Sequence, residues 1–325
     1  SFAQPAADIN ARIREEGTKN SQVMKTIQIL TDVYGPRLTG SPQLKAAGEW
    51  AAKQMTEWGL ENAALEPWNW GNPGWVNERA YGFITAPVQD SLVFEVLAWT
   101  PSTPGPVKGP VVQLTIPMRP TQDELTAYFN SVRSSLKGAM VVLGDPNRVA
   151  LNLNPPAKRI ADDVAKQRFD PNAAQPAGPQ FTPPAPQPPK PGALTFQQLG
   201  AQVNQFLIDS GVAVRINDAG REHGQIRAFG NNTYDATKVV PTVVMRNEDY
   251  GRIVRLAKMG RTVELEFDIR NKLFPEGATA YNTVAEIVGT DKKDEVIMLG
   301  GHLDSWHAAT GATDNATGSA VMMEA

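Results

Sequence analysis

The first sixty residues contain two stretches in which apolar residues recur at helical spacing. In residues 21–34 the spacing predicts one amphipathic helix, with a stripe formed by Val23, Ile27, Leu30 and Val33. The second stretch has clearer limits, because Ser41 is a typical N-cap, Pro42 suits the first helical position and Gly59 follows the last apolar residue. Its predicted apolar stripe consists of Leu44, Ala47, Ala51, Met55 and Trp58.

Between residues 90 and 270 the pattern changes to short apolar runs separated by Gly and Pro, which is typical of strands. These runs lie at 92–99, 111–116, 139–143, 212–216, 239–245 and 263–269. Helical patterns lie between some of them, at 122–136, 194–210 and 248–259. The alternation predicts a strand-rich α/β domain over residues 86–272, inserted between residues 1–85 and 273–325 of a second domain.

Residues 170–193 hold nine of the 26 prolines and too few apolar side chains to bury. We expect an extended, polyproline-like loop on the surface of the insert. A ligand for a proline-recognising partner is the alternative.

Two further strands are expected at 283–288 and 296–300. The second run is almost continuously apolar, which predicts a strand covered on both faces of an α/β sheet. Polar residues follow it directly. A strand places His302 and Asp304 on the same side, where the carboxylate can orient the imidazole as a zinc-bound histidine requires. Asp314 precedes an expected helix and can face the same crevice, so the two residues could share a metal site.

Other interpretations of these residues remain open. A histidine after a buried strand is often only hydrogen-bonded, and an aspartate before a helix is often an N-cap. His307 competes with His302 as a ligand, although it is equally suited to face solvent or substrate. His223 has no carboxylate cluster around it and receives no role. Glu324 is expected to be a surface or packing residue of the last helix.

Composition narrows the possible partners. The 31 basic and 34 acidic side chains give a net charge of −3, which does not favour nucleic acid or an anionic membrane. No apolar stretch is long enough for a membrane-spanning helix, and the absence of Cys excludes disulfides and thiolate metal sites. The small residues at the start resemble the remainder of a removed signal peptide, so a secreted or periplasmic protein is expected.

Three segments together resemble the co-catalytic di-zinc exopeptidases. Residues 300–306 are GGHLDSW, residues 311–318 are GATDNATG, and the early residues 34–41 are YGPRLTGS. The resemblance spans nearly the whole chain, with the insert similar to a protease-associated domain, and points to the carboxypeptidase Q-like branch. It implies an α/β fold class, namely an incomplete mixed-sheet α/β/α zinc-exopeptidase domain with an inserted strand-rich protease-associated-like domain.

The resemblance also implies a role for each candidate residue. His302 would bind one of two zinc ions, Asp304 would be the active-site carboxylate that orients His302, and Asp314 would bridge both zincs. Members of the family often have a cis peptide after the bridging aspartate, here between Asp314 and Asn315. The implied reaction is zinc-dependent hydrolysis of peptide bonds in short peptides, by an aminopeptidase or a carboxypeptidase Q-like dipeptidase.

The family also uses a downstream Glu pair, a further acidic residue and a final His, and none of these occurs before Ala325. We therefore expect the chain to be the N-terminal portion of an enzyme, inactive alone, whose other ligands lie on a C-terminal segment. Apolar surface should then be exposed near residues 296–325. A catalytically inactive receptor or binding protein of the same fold is the alternative function, and a third is an insert that docks a protein partner.

Overall fold

The computed structural model describes residues 6–150, 153, 160–168, 170 and 190–325. Most of the proline-rich segment 170–193 lies outside the described residues, so its conformation stays a prediction.

Three helices open the described chain: α1 (Ala6–Lys19), α2 (Val23–Gln28), which a π-helical turn at Ile29–Val33 extends, and α3 (Pro42–Glu57). The Ser41 hydroxyl caps α3 by accepting a hydrogen bond from the Leu44 N–H at 3.2 Å, as predicted. Both predicted stripes are correct in their centres and wrong at their ends. Val33 and Trp58 are 70% and 38% exposed, because each lies where its helix terminates and the chain turns away from the core.

The strands that follow are β1 (Glu61–Asn69), β2 (Gly74–Ala86), β3 (Asp90–Ser91), β4 (Phe94–Val96), β5 (Val107–Leu114), β6 (Met140–Leu143), β7 (Val214–Asp218), β8 (Thr242–Met245), β9 (Glu264–Phe274) and β10 (Thr279–Glu286). The helices between and after them are α4 (Gln122–Val132), α5 (Asp162–Arg168), α6 (Phe196–Asp209), α7 (Asn247–Lys258) and α8 (Thr317–Glu324). Each apolar run and helical pattern predicted between residues 90 and 270 overlaps one of these elements.

Eight strands form one mixed sheet in the order β3-β2-β9-β5-β6-β7-β8-β4. The central pairs from β5 to β8 are parallel, and the outer pairs are antiparallel. This sheet draws all its strands from residues 74–274. A separate antiparallel pair, β1 with β10, packs against α3.

The large sheet is covered on both faces. Because side chains alternate along a strand, Met140 and Val142 of β6 point to one buried cluster and Val141 points to the other. Helix α7 covers the first cluster, while α4 and α6 cover the second. The result is a mixed α/β fold, which confirms the predicted fold class. The division into a peptidase domain and an insert stays a prediction.

The strand predicted at 296–300 is wrong for the described chain. Neither sheet includes these residues, and Val296, Ile297, Met298 and Leu299 are 60–93% exposed. An apolar run becomes a strand only where a neighbouring strand pairs with its backbone, and no described strand does so here. The expected exposure of apolar surface is present at this segment.

Among the described residues, no helix combines the length and the apolar character needed to cross a membrane.

Candidate metal centre

The structure brings together the three residues singled out at the end of the chain. The Nδ1 atom of His302 lies 2.9 Å from Oδ1 of Asp304 and 3.2 Å from the Asp304 carbonyl oxygen. On the other side of the ring, Nε2 lies 2.9 Å from Oδ1 of Asp314. His302 therefore lies between two carboxylates, although no strand carries it.

The partners of His302 fix which ring nitrogen carries hydrogen. Both groups beside Nδ1 are acceptors, so Nδ1 donates to Asp304. Nε2 of a neutral imidazole then presents a lone pair to the Asp314 carboxylate, which is also an acceptor. Two acceptors 2.9 Å apart repel each other unless a cation, either a proton or a metal ion, lies between them.

The donor set is suited to zinc, which binds imidazole nitrogen and carboxylate oxygen. His302 Nε2 and Asp314 Oδ1 are close enough to reach one ion, and Asp304 supplies the hydrogen-bond acceptor that a metal-bound histidine normally has. Within the described residues, however, no group of three or more His, Cys, Asp or Glu side chains could hold a metal ion. The pair thus provides two of the donors that a metal centre needs.

The backbone before and after Asp314 has special geometry. Gly311 has a φ of +66°, and a Cβ atom there would lie 2.3 Å from the Ser305 Cβ atom, so only glycine fits. The Asp314–Asn315 peptide bond is cis, as the resemblance implied. The first turn of α8 is tied back to His302, since the Ser319 hydroxyl donates to the His302 carbonyl at 3.0 Å.

Arg37 holds the loop that connects the two carboxylates. Its side chain is fully buried and donates to the carbonyls of Leu303 at 2.8 Å, Thr310 at 2.9 Å and Gly311 at 3.1 Å. The Arg37 guanidinium therefore fixes both ends of the segment between Asp304 and Asp314. Burial lowers the pKa of Arg37, and the nearby Asp304 carboxylate raises it.

Thr39 completes the hydrogen bonding of Asp304. Its hydroxyl donates to Oδ2 of Asp304 at 2.5 Å, while Oδ1 accepts from His302. Both Asp304 oxygens are thus engaged, which fixes the carboxylate relative to the imidazole.

The sequence indicated residues 34–41 only as part of a motif, and the roles of Arg37 and Thr39 were missed. The available sequence signal was an Arg and a Thr beside Gly and Pro. This composition is typical of a turn whose polar side chains form hydrogen bonds.

The remaining candidates lie elsewhere. Nε2 of His307 donates to the Val96 carbonyl at 2.5 Å, and burial lowers the pKa of His307. His223 is exposed and lies 3.9 Å from Glu222. The Glu324 carboxylate accepts a hydrogen bond from the Gln22 N–H at 2.6 Å, which agrees with its expected packing role.

Fold and site together define an α/β protein whose candidate metal donors follow one another in the loop before a helix. Residues 282–325 match peptidase family M28, and this segment contains His302, Asp304 and Asp314. The resemblance to the co-catalytic zinc exopeptidases that the sequence predicted is confirmed.

Similar proteins match over most of the chain. Mouse carboxypeptidase Q is 24% identical over 310 residues, which cover 95% of this chain and 55% of the mouse protein. Human carboxypeptidase Q is 25% identical over 309 residues, covering 95% and 54%. The crystal structure of a peptidase M28 precursor from Shewanella amazonensis has a TM-score of 0.53 at 21% identity and covers 95% of this chain and 60% of that one. The chain spans about half the length of the curated relatives it matches.

Proposed function

We propose that this chain contributes to a co-catalytic zinc centre that hydrolyses peptide bonds in short peptides, as an aminopeptidase or a carboxypeptidase Q-like dipeptidase. The observation that carries the proposal is the position of His302 between Asp304 and Asp314, with 2.9 Å on each side of the ring. The match of residues 282–325 to peptidase family M28 supports it.

Each residue has a defined task in this proposal. His302 would hold zinc through Nε2, and Asp314 would supply a carboxylate ligand to the same centre. Asp304 accepts the Nδ1 hydrogen of His302, which keeps Nε2 free for the metal and makes the imidazole a stronger ligand. When bound, zinc would supply a Lewis acid for hydrolysis of the peptide bond.

Further groups are required besides these residues. A catalytic zinc takes about three protein ligands, and the described pair supplies two donors. The hydrolysis also needs a general base that removes a proton from the attacking water. The proposal therefore requires additional ligands and a base that act together with His302 and Asp314.

The test uses the product of the complete gene. Metal analysis should find about two zincs per chain, and His302→Ala should abolish hydrolysis of aminoacyl and dipeptide substrates while circular dichroism stays unchanged. His223→Ala is the matched control, because it removes an exposed imidazole that has no described contact with the candidate centre. Hydrolysis that survives His302→Ala would show that the site assignment is wrong. A folded, metal-free protein would favour the alternative of an inactive receptor or binding protein.

We further propose that residues 86–272 form the protease-associated-like insert and cover part of the active-site cleft. Two contacts between residues 86–272 and the loop after Asp304 support this: His307 donates to Val96 of β4, and the Trp306 ring lies 6.5 Å from that of Trp99. Limited proteolysis should release a resistant fragment that contains residues 86–272 together with β2, which pairs with β9. Fragments that end inside the insert would count against it.

A location outside the cytoplasm, secreted or periplasmic, is also proposed. The absence of Cys from the 325 residues suits an oxidising compartment. Fractionation of the source cells with an antibody to the chain tests it, and recovery in the cytoplasmic fraction would rule it out.

A further inference from the structure

The structure contains a cavity of about 190 Å³. Its wall combines Gln43 of α3, Trp75 of β2, Glu95 of β4 and His307 of the loop after Asp304. None of His302, Asp304 and Asp314 lines it. The cavity can therefore hold a small ligand without using any of these three side chains.

Two buried acceptor atoms on this wall have no hydrogen-bond partner among the described residues. They are Oε1 of Gln43 and Nδ1 of His307. Because Nε2 of His307 donates to the Val96 carbonyl, Nδ1 of the neutral ring carries a lone pair rather than a hydrogen. Buried polar atoms in folded proteins are nearly always satisfied, so a donor is expected to occupy the cavity.

The charge of the cavity wall also favours a ligand that donates hydrogen bonds. Glu95 is the only charged side chain among the residues that line the cavity, and neither Lys nor Arg is present among them. Burial raises the pKa of Glu95, since the carboxylate has lost part of its hydration. A cation inside the cavity would offset this cost, and a neutral or anionic ligand would not.

We propose that this cavity is a binding site for a small organic ammonium ion. An ammonium group has three N–H donors and no acceptor, which matches the Glu95 carboxylate, Gln43 Oε1 and His307 Nδ1. The apolar part of the ligand would lie against Leu38, Trp75 and Val96, which belong to the same wall. This site does not depend on the proposed peptidase activity.

The dimensions define the class of ligand further. A water molecule needs about 10 to 15 Å³ of space of this kind, so a cavity of 190 Å³ has room for a small organic ion. Water brings no charge to compensate Glu95. An ammonium ion with a short alkyl chain satisfies the acceptors, the charge and the apolar wall together.

The experiment uses the product of the complete gene labelled with ¹⁵N-histidine, and the His307→Asn variant identifies the His307 ring signals. n-Butylammonium chloride is the probe, and butan-1-ol is its uncharged counterpart of the same shape. We expect n-butylammonium to shift the His307 ring signals saturably and to raise the melting temperature, whereas butan-1-ol has no such effect.

Two isosteric or nearly isosteric variants test the assigned partners. Glu95→Gln removes the charge and should weaken n-butylammonium binding roughly tenfold to a hundredfold, as expected for a charged hydrogen bond. Gln43→Met replaces the amide acceptor by an apolar side chain of similar size and should weaken n-butylammonium binding less. Glu78→Gln is the matched control, because Glu78 is an exposed residue of β2 that does not line the cavity.

Three results would overturn the proposal. The first is the absence of a saturable His307 shift with n-butylammonium, which would mean that the cavity holds only water. The second is an equal response to butan-1-ol, and the third is a Glu95→Gln variant that binds n-butylammonium like the parent chain. A variant that loses its amide spectrum is replaced by Glu95→Asp, which keeps the charge and should keep binding.

Discussion

At the scale of single residues, the candidate centre depends on side chains that are far from it in sequence. Asp304 holds His302 with one oxygen and is itself held by Thr39 through the other. Arg37 fixes the carbonyls at both ends of the following loop. Outer partners of this kind are worth testing, because they determine the orientation of a ligand without touching the metal.

Thr39→Val should lower zinc affinity roughly tenfold to a hundredfold, the usual effect of removing a partner behind a metal ligand. The reason is that Asp304 loses the hydroxyl at 2.5 Å and can rotate away from His302. Competition with a chelator in the zinc-binding protein measures the change. Thr39→Ser keeps the hydroxyl and should restore most of the affinity. Unchanged affinity in Thr39→Val, or a loss in Thr39→Ser as large as that in Thr39→Val, would show that the hydrogen bond of the Thr39 hydroxyl is not the cause.

His307 should make the fold sensitive to mild acid. Burial places the pKa of His307 below its ordinary value of 6.5, so the unfolded chain binds a proton more readily than the folded one. The free energy of unfolding should therefore fall as the pH drops below about 6.5 towards the lowered pKa. Urea unfolding from about pH 7 to about pH 5 measures the slope. His307→Asn should be less stable at neutral pH, but its slope should be smaller; an unchanged slope would exclude His307 as the cause.

At the scale of elements, local signals determine where α3 begins. Ser41→Ala should destabilise the protein by about 1 kcal/mol, because the Leu44 N–H at 3.2 Å loses its side-chain acceptor. Urea denaturation measures the loss. Ser131→Ala is the matched control within α4, where an exposed hydroxyl only donates to a carbonyl of its own helix, and it should change stability by less than about 0.5 kcal/mol. Equal losses in the two variants would argue against the cap.

Features that nearby residues determine could be predicted from the sequence, whereas features that depend on distant residues could not. Helix α3 was predictable because its cap, first residue and terminating glycine lie within the segment. The pairing of His302 with Asp304 was predictable because a single residue separates them. The role of Arg37 could not be predicted, since the loop carbonyls that it binds lie about 270 residues away in sequence. The strand at 296–300 was predicted wrongly because an apolar run indicates only that burial is favourable. It does not indicate which neighbouring segment would bury it.

At the scale of the whole molecule, the described chain combines a well-covered sheet with one exposed apolar segment. The eight-stranded sheet has buried clusters on both faces, whereas Val296, Ile297, Met298 and Leu299 face solvent. Consecutive exposed apolar side chains of this kind are rare on monomeric proteins and favour association.

Replacing Ile297 and Met298 by Ser should therefore reduce binding of the dye ANS by the 325-residue chain and raise its solubility. Both side chains are more than four-fifths exposed, at 93% and 86%, so no packing is lost. Met259→Ser is the control, since Met259 is equally apolar and 70% exposed but has no exposed apolar neighbour in sequence. An effect of the control as large as that of the double variant would indicate a general gain in polarity rather than a specific patch.

The bonds of Arg37 also determine the order in which the molecule can assemble. They join residue 37 to residues 303, 310 and 311, and the entire eight-stranded sheet lies in the chain between. Closing so long a loop in an unfolded chain is slow and costs conformational entropy. Once the sheet has folded, the chain between residue 37 and residues 303–311 is compact. Its ends are then near each other, and only a short loop remains to be closed. The candidate metal centre should therefore form last in folding, after the sheet that separates its two halves in sequence.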